Sequence, residues 1–115
     1  LNRDTIANLR TGIVAGAANN QLATDEDGHA LQDRGILYCP DFLINAGGII
    51  DVHHQRIGSS DALKCDHIHR IGVTLSEVLK RADECHSQTQ QIAEQLAEEY
   101  LAAAHSAITP LRAVG

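Results

Sequence analysis

Two short segments place asparagines directly after apolar residues, and both have the composition of a ligand-binding backbone. The first is Gly-Ala-Ala-Asn-Asn-Gln-Leu over residues 16–22, and the second is Ile-Asn-Ala-Gly-Gly-Ile over residues 44–49. An asparagine carboxamide offers two N–H donors and one acceptor, so it pairs with another carboxamide or with a carboxylate. Glycine has no Cβ and permits close approach to the backbone. The two segments therefore favour a site that orients a flat polar ligand.

Short strands must position these segments. Residues 13–17 form an apolar run bounded by glycines and predict a buried strand, and residues 36–39 predict a second strand that ends at Pro40. Three or more strands are usually needed for a self-sufficient sheet. The exposed edges expected at residues 13–14 and 36–37 therefore predict pairing with more of the sheet or with a second copy of the chain.

Helices are predicted around both strands. Residues 4–10 have the pattern of a helix end, and residues 24–28 are typical of a turn. A helix of one to two turns is predicted over residues 29–34 and should stop at Gly35. A further helix is expected to begin near Asn45 and run to Ile57, before the Gly-Ser-Ser break.

The C-terminal half has helical spacing throughout. One apolar stripe begins after Asp61, a polar joint follows over residues 86–91, and a second stripe comes next; a loosely held tail is predicted after Ala104. The stripes consist of Ile68, Ile71, Leu75, Val78, Leu79 and Ala82, and of Ile92, Leu96 and Tyr100.

Composition excludes several classes of function. Nine Lys and Arg against fifteen Asp and Glu give a net charge of -6, which argues against a nucleic-acid partner. No apolar run approaches the roughly 18 residues of a membrane span, and no signal peptide is visible. Three cysteines without a C-x-x-C motif indicate a reducing compartment, so a cytoplasmic location is predicted. The start at Leu1 is consistent with a truncated or proteolysed chain.

A family resemblance rests on three segments in this order. They are residues 16–22, residues 34–41 (Arg-Gly-Ile-Leu-Tyr-Cys-Pro-Asp) and residues 44–49. Over residues 1–101 the sequence resembles the C-terminal part of the NAD-binding domain of leucine/phenylalanine/valine dehydrogenases, within the glutamate dehydrogenase-like superfamily. The resemblance implies an α/β fold, a partial Rossmann-like nucleotide-binding domain with two short parallel strands and C-terminal amphipathic helices, mostly helical by content.

The resemblance also implies a division of the chain and a chemistry. Residues 1–57 would be the C-terminal half of the dinucleotide-binding domain, residues 58–104 a helical segment, and residues 105–115 a tail. The complete enzyme would use NAD to deaminate an apolar L-amino acid, branched-chain or aromatic, to the 2-oxo acid and ammonia. Its expected partners are the small-molecule substrate, the rest of the dehydrogenase chain and further copies in a homo-oligomer.

Within that family, Ala18 and Asn19 would face the nicotinamide ribose or carboxamide, with Asn20 and Gln21 in support. The alternative is that Asn19 and Asn20 only close a turn between strand and helix, as asparagines commonly do. Asn45 would hydrogen-bond cofactor and substrate where they meet, and the alternative is that it caps a helix N-terminus. Two glycines follow Asn45, and each costs a helix about 1 kcal/mol relative to alanine, so close packing or ligand approach must compensate.

Ile49 and Val52 follow Asn45 by four and seven residues and so share its helix face. In the family these positions line the pocket for the substrate side chain. Two branched apolar residues suit an aliphatic or aromatic side chain and would leave a glutamate carboxylate unpaired. The alternative is ordinary core packing.

The chemistry of proton transfer is missing from this sequence. It contains no G-x-G-x-x-G loop for a pyrophosphate, and it lacks the paired lysines and the aspartate that the family uses for catalysis. No catalytic residue is therefore assigned, and the chain alone is expected to be inactive. The rival hypothesis is a non-catalytic helical association module derived from the same family.

Histidines and cysteines suggest a third possibility, a zinc site. His53-His54, the Cys65-Asp-His67-Ile-His69 segment and Cys85-His86 supply ligand types but no paired zinc-finger spacing. Solvated helical histidines are the favoured interpretation, and no metal is predicted. Cys39, inside an apolar strand, is expected to be an inert thiol.

Overall fold

The structure is a computed structural model that describes the backbone of residues 1–112 and the side chains of residues 1–106. Its two strands pair in parallel, with Ile13 opposite Leu37 and Val14 opposite Tyr38. The predicted combination of two short parallel strands with a mostly helical remainder is confirmed. In chain order the elements of the described residues are α1 (Arg3–Ala7), β1 (Ile13–Val14), α2 (Asp25–Asp33), β2 (Leu37–Tyr38), α3 (Asp41–Ile44), α4 (Gly47–Ile57), α5 (Asp61–Cys85) and α6 (Thr89–Arg112).

Both strands are shorter than predicted, and β1 is not buried. Ile13 is 58% exposed and Leu37 is 38% exposed, whereas Ile36 and Tyr38 are buried. Helices α1 and α2 cover one face of the sheet, and within the described chain nothing pairs with the outer edge of β1. The prediction of a buried first strand is therefore wrong for this chain, and Ile36 does not belong to the exposed edge.

Helix α2 begins four residues earlier than predicted, so the proposed turn over residues 24–28 is wrong. Thr24 and Asp27 form a capping box in which the Thr24 backbone N–H donates to Asp27 Oδ2 at 3.0 Å. Such a box satisfies backbone donors that a helix N-terminus otherwise leaves unpaired. The predicted stop at Gly35 is confirmed, because Gly35 adopts a left-handed φ of 66°.

Helix α1 is complete within five residues instead of being the end of a longer helix. The Asn2 side chain caps it by accepting from the Thr5 N–H at 2.9 Å. The helix ends at Ala7, and not at Arg10, because Asn8 closes it. A first core cluster joins α1, α2 and β2 and consists of Ile6, Leu31, Ile36 and Tyr38.

Helices α5 and α6 form an antiparallel hairpin with a second core cluster of Val78, Ala82, Ile92, Ala93 and Leu96. The Arg81 guanidinium ties the hairpin by contacting Glu99 of α6 at 3.0 Å, and within α5 it also contacts Glu77 at 2.7 Å. Towards the open end Ile68 is 38% exposed and Tyr100 is 58% exposed, so the two predicted stripes meet only near the joint.

The joint itself is short. His86 ends α5 with a left-handed φ of 52°, and α6 starts at Thr89, so the polar joint spans three residues instead of the predicted six. Helix α6 continues through Arg112 where a loose tail was predicted from residue 105, and residues 113–115 of that tail lie outside the described residues. Among the described helices, none has the length and apolar composition needed to cross a bilayer.

Candidate functional site

The two asparagine segments meet at one edge of the sheet. The loop that follows β1 carries Ala18 and Asn19, and the junction between α3 and α4 carries Asn45. Parallel strands bring their carboxyl ends to a common edge, where α/β folds bind ligands. There Asn45 Nδ2 lies 3.3 Å from the Ala18 carbonyl oxygen and 3.5 Å from Asn19 Oδ1. Three of the residues singled out from sequence therefore converge at one point.

Asn45 does not cap a helix N-terminus. It ends α3, where its backbone N–H donates to the Asp41 carbonyl at 2.9 Å, and the residue that precedes α4 is Ala46. The helix predicted to begin at Asn45 is in fact two helices, because the chain turns at Asn45. Its side chain is thus directed to the β1 loop and does not serve α4.

Gly47 and Gly48, which begin α4, are surrounded by free space. A Cβ built on Gly47 or on Gly48 would meet nothing within 4 Å. Packing within the described chain therefore does not require glycine at these positions.

Asp41 supports the site and was not recognised in the sequence. It is buried, and its carboxylate accepts the Asn20 backbone N–H at 2.7 Å and the Tyr38 hydroxyl at 2.8 Å. Burial raises the pKa of Asp41, but the hydrogen bonds from Tyr38 and from the Asn20 and Gln21 backbones outweigh burial, so its pKa lies below the usual value. Its position directly after a strand and a proline was the available signal.

The same arrangement shapes the β1 loop. Asn20 adopts a left-handed φ of 52°, which asparagine tolerates better than most residues. A Cβ on Gly16 would lie 2.6 Å from Gln21 Nε2, so a larger residue at position 16 would force the end of the Gln21 side chain to move. Asn20 contributes to this loop through its backbone, which keeps Asn19 facing Asn45.

Burial also acts on the neighbours of Asp41. The pKa of the Tyr38 hydroxyl is raised by burial and by the adjacent Asp41 carboxylate, so this phenol remains a donor. Burial raises the pKa of the Cys39 thiol, which agrees with the expectation of an inert cysteine.

An exposed apolar surface lies on α4, the helix that follows Asn45 in the chain. Ile49 is 78% exposed and Val52 is 56% exposed, whereas the neighbouring Ile50 is buried. The alternative that Ile49 and Val52 are core residues of this chain is therefore wrong. Exposed branched side chains on the helix that follows Asn45 form a surface to which an apolar ligand group can bind.

His54 and His67 form a separate contact between α4 and α5. His54 is buried there, so the favoured interpretation of solvated helical histidines is wrong for His54. His54 Nε2 lies 3.0 Å from His67 Nδ1, and the other His54 nitrogen contacts Ser59 Oγ. Within the described residues, no three His, Cys, Asp or Glu side chains come together as metal ligands.

The fold and the edge geometry define a class, the α/β proteins whose ligands bind beyond the carboxyl ends of parallel strands. Comparison with solved structures supports this class and narrows it to one group of enzymes. The crystal structure of L-tryptophan dehydrogenase from Nostoc punctiforme superposes with a TM-score of 0.83 at 38% identity, over 90% of this chain and 32% of that one.

Sequence comparison agrees, although no family model matches the chain. L-tryptophan dehydrogenase from Nostoc punctiforme is 41% identical over 100 residues, 86% of this chain and 28% of that protein. Phenylalanine dehydrogenase from Caldalkalibacillus thermarum is 39% identical over 88% of this chain and 27% of its own length. Leucine dehydrogenase from Bacillus cereus is 35% identical over 89% of this chain and 28% of its length.

The chain belongs to the amino-acid dehydrogenase family, as its sequence segments predicted. It spans less than a third of the length of the relatives it matches. Its two-stranded α/β unit is accordingly a partial nucleotide-binding fold.

Proposed function

We propose that this chain forms the part of an NAD-dependent amino-acid dehydrogenase that faces the nicotinamide and the substrate side chain. The observation that carries the proposal is the contact of the Asn45 carboxamide with Ala18 and Asn19 beside an exposed apolar helix face. The chain thus supplies a polar group that can orient a ligand and an apolar surface that can bind its side chain. Oxidation of an apolar amino acid requires both.

The donor set suits a nicotinamide. The Asn45 carboxamide nitrogen lies within hydrogen-bond distance of both the Ala18 carbonyl and Asn19 Oδ1, which leaves the carboxamide oxygen of Asn45 as an acceptor for a ligand. The exposed Ala18 and Asn19, supported by Asn20, would hold the ribose or carboxamide side of NAD. When bound, NAD supplies the acceptor for a hydride. The chain's own contribution is to orient the reacting groups.

Substrate selection is assigned to Ile49 and Val52. A buried glutamate carboxylate between two branched apolar side chains would lack a partner and cost several kcal/mol. The names of the relatives, dehydrogenases of tryptophan, phenylalanine and leucine, support an apolar side chain. The proposed reaction is reversible deamination of such an L-amino acid to the 2-oxo acid and ammonia.

The remaining chemistry belongs to the rest of the dehydrogenase chain. The pyrophosphate loop and the proton-transferring lysines are not in this sequence, so we expect the chain alone to be inactive.

The exposed β1 edge supports association with further sheet and with other copies in a homo-oligomer. Three free cysteines support a reducing, cytoplasmic setting. The relatives are all named as enzymes, which does not favour the association-module alternative.

The test is a substrate survey of the full-length enzyme that contains this chain. NADH formation is measured with L-leucine, L-phenylalanine, L-tryptophan and L-glutamate, and the best substrate is repeated with NADP. We expect kcat/KM for an apolar substrate to exceed that for glutamate on the order of 100-fold or more. A preference for glutamate, or NADH formation by the pure 115-residue chain, would overturn the proposal.

A further inference from the structure

The α4–α5 contact contains a chain of three polar side chains. Ser59 Oγ contacts one nitrogen of His54, and the other His54 nitrogen lies 3.0 Å from His67 Nδ1. His54 is buried on α4, Ser59 follows α4, and His67 is on α5. The buried imidazole therefore joins the C-terminal end of α4 to the neighbouring helix.

Proton count decides whether this contact survives. With both rings neutral, one ring donates an N–H and the other accepts with its lone pair. A single added proton is compatible, because a charged His54 donates to Ser59 and to a neutral His67. Two added protons place an N–H on each facing nitrogen, so the hydrogen bond is lost and two like charges lie about 3 Å apart.

The surroundings of His54 disfavour the charged state. From α4 it faces His53, whose ring centre is 5.4 Å away, and Asp51; from α5 it faces His67 and Lys64. Burial, and then the positive charges of His67, His53 and Lys64, lower the pKa of His54, and Asp51 opposes them weakly. Lys64 stays charged and holds Asp51 at 3.0 Å, which is a second tie between α4 and α5.

We propose that His54, His67 and Ser59 form a clamp that positions α4, and that double protonation of the two imidazoles releases it. The consequence for the substrate rests on the proposed function, since α4 also carries Ile49 and Val52 on its exposed face. The Lys64–Asp51 pair remains when the clamp opens, so α4 stays tied to α5 at Asp51 while its C-terminal turn around His54 loosens. His54 and His67 are thus positioning residues.

The first test detects opening of the clamp by a measurement that does not depend on enzyme activity. Amide hydrogen exchange of α4 in the 115-residue chain is followed at pH 7.5 and at pH 5, corrected for the intrinsic pH dependence. We expect α4 protection to fall on the order of tenfold at the lower pH, with α6 unchanged. Imidazole nitrogen chemical shifts should report one bridging proton wherever α4 is protected and two protonated rings wherever that protection is lost.

Three variants make the test specific. His67→Gln keeps an acceptor for His54 without a charge, so α4 should be protected at both pH values. His67→Ala removes the partner, so protection should be low at both. His69→Gln changes an exposed histidine two residues away on the same helix and should behave as the unsubstituted chain. Protection that is independent of pH, or pH dependence retained by His67→Gln, would overturn the clamp.

The second test uses the full-length enzyme and its apolar substrate. Between pH 7.5 and pH 5, KM of the unsubstituted enzyme should rise on the order of fivefold more than KM of His67→Gln, because α4 carries the surface proposed to bind the substrate side chain. Groups that transfer protons affect both proteins alike and cancel in this comparison. Exchange results that support the clamp without any dehydrogenase activity would refute only the proposed function. An active enzyme with identical KM profiles in both proteins would refute the positioning role.

Discussion

The Asp41 carboxylate accepts the backbone N–H of Asn20 at 2.7 Å, across 21 residues of sequence. The carbonyl of the same Asp41 accepts the backbone N–H of Asn45 at 2.9 Å. One buried residue therefore fixes both the loop after β1 and the junction before α4. The Asn45 contact with Ala18 depends on this bridge, because each partner is placed by a different group of Asp41.

Asp41→Asn should loosen the site. The substitution keeps the shape but replaces a charged acceptor with a neutral one that offers a single oxygen to Asn20 and Tyr38. Hydrogen bonds to charged groups contribute about 2 kcal/mol, so we expect the free energy of unfolding to fall by about that amount. Urea denaturation of the chain measures this change. Asp33→Asn, at an exposed position, should stay within about 0.5 kcal/mol.

The same carboxylate gives stability a pH dependence. Because the folded pKa of Asp41 lies below its unfolded value, its stabilisation is complete above about pH 4 and is lost as the pH falls through the folded pKa. Denaturation series from pH 6 down to pH 2.5 should therefore show a loss that is smaller in Asp41→Asn. Equal slopes in the two proteins would contradict the role of Asp41.

The first core cluster supplies an independent prediction. Leu31 is fully buried between α1 and β2, so Leu31→Ala should cost about 3 kcal/mol through lost burial and the cavity left behind. Leu63→Ala removes the same atoms from a side chain that is 60% exposed and should cost under about 1 kcal/mol. Thermal and urea melts of both variants measure the difference. Comparable losses would mean that this cluster does not hold the fold.

Helix ends at glycine were predictable, and helix starts were less so. Gly35 and Gly58 both adopt the left-handed φ that ends a helix, and glycine reaches this region without the strain that a Cβ causes. The start of α2 was missed because Thr24 and Asp27 were assigned to a turn, although the same pair forms a capping box. Side chains that favour turns also cap helices, so local sequence leaves the choice to packing.

The candidate site was predictable as a set of residues but not as a geometry. The segments that carry Asn19 and Asn45 identified the family, and the structure brings these residues within 3.5 Å of each other. Sequence could not reveal that Asp41 connects them, because that contact depends on the parallel pairing of two strands. The exposure of Ile49 could not be inferred either, since an apolar residue at helical spacing is more often buried.

The catalytic efficiency with an apolar substrate should depend on Val52 and not on Ile57. In the full-length enzyme, Val52→Ala widens the proposed pocket, and kcat/KM for the best apolar substrate should fall about 5- to 30-fold. Ile57→Ala removes a similarly exposed residue that lies on another face of α4, and it should have little effect. Both side chains are exposed in this chain, so neither change should alter its stability by more than about 0.5 kcal/mol. An equal effect of the two variants on kcat/KM would remove Val52 from the pocket.

Asn45→Asp tests the orienting role directly. The substitution replaces the N–H that faces the Ala18 carbonyl with an oxygen and adds a negative charge beside the proposed substrate carboxylate. In the full-length enzyme we expect kcat/KM to fall by about 2–4 kcal/mol of transition-state stabilisation. Stability of the 115-residue chain should change by less than about 1 kcal/mol, since the contacts of 3.3 and 3.5 Å are long and exposed.

Asn8→Asp is the matched control for Asn45→Asp. Asn8 Nδ2 donates to the Asp4 carbonyl at 2.9 Å, which is the same type of contact at the residue that closes α1, away from the site. Its loss should leave kcat/KM unchanged, because no ligand group is proposed there. If Asn45→Asp also retained normal kcat/KM, the Asn45 carboxamide would only hold the β1 loop, and orientation of the cofactor would have to come from another residue.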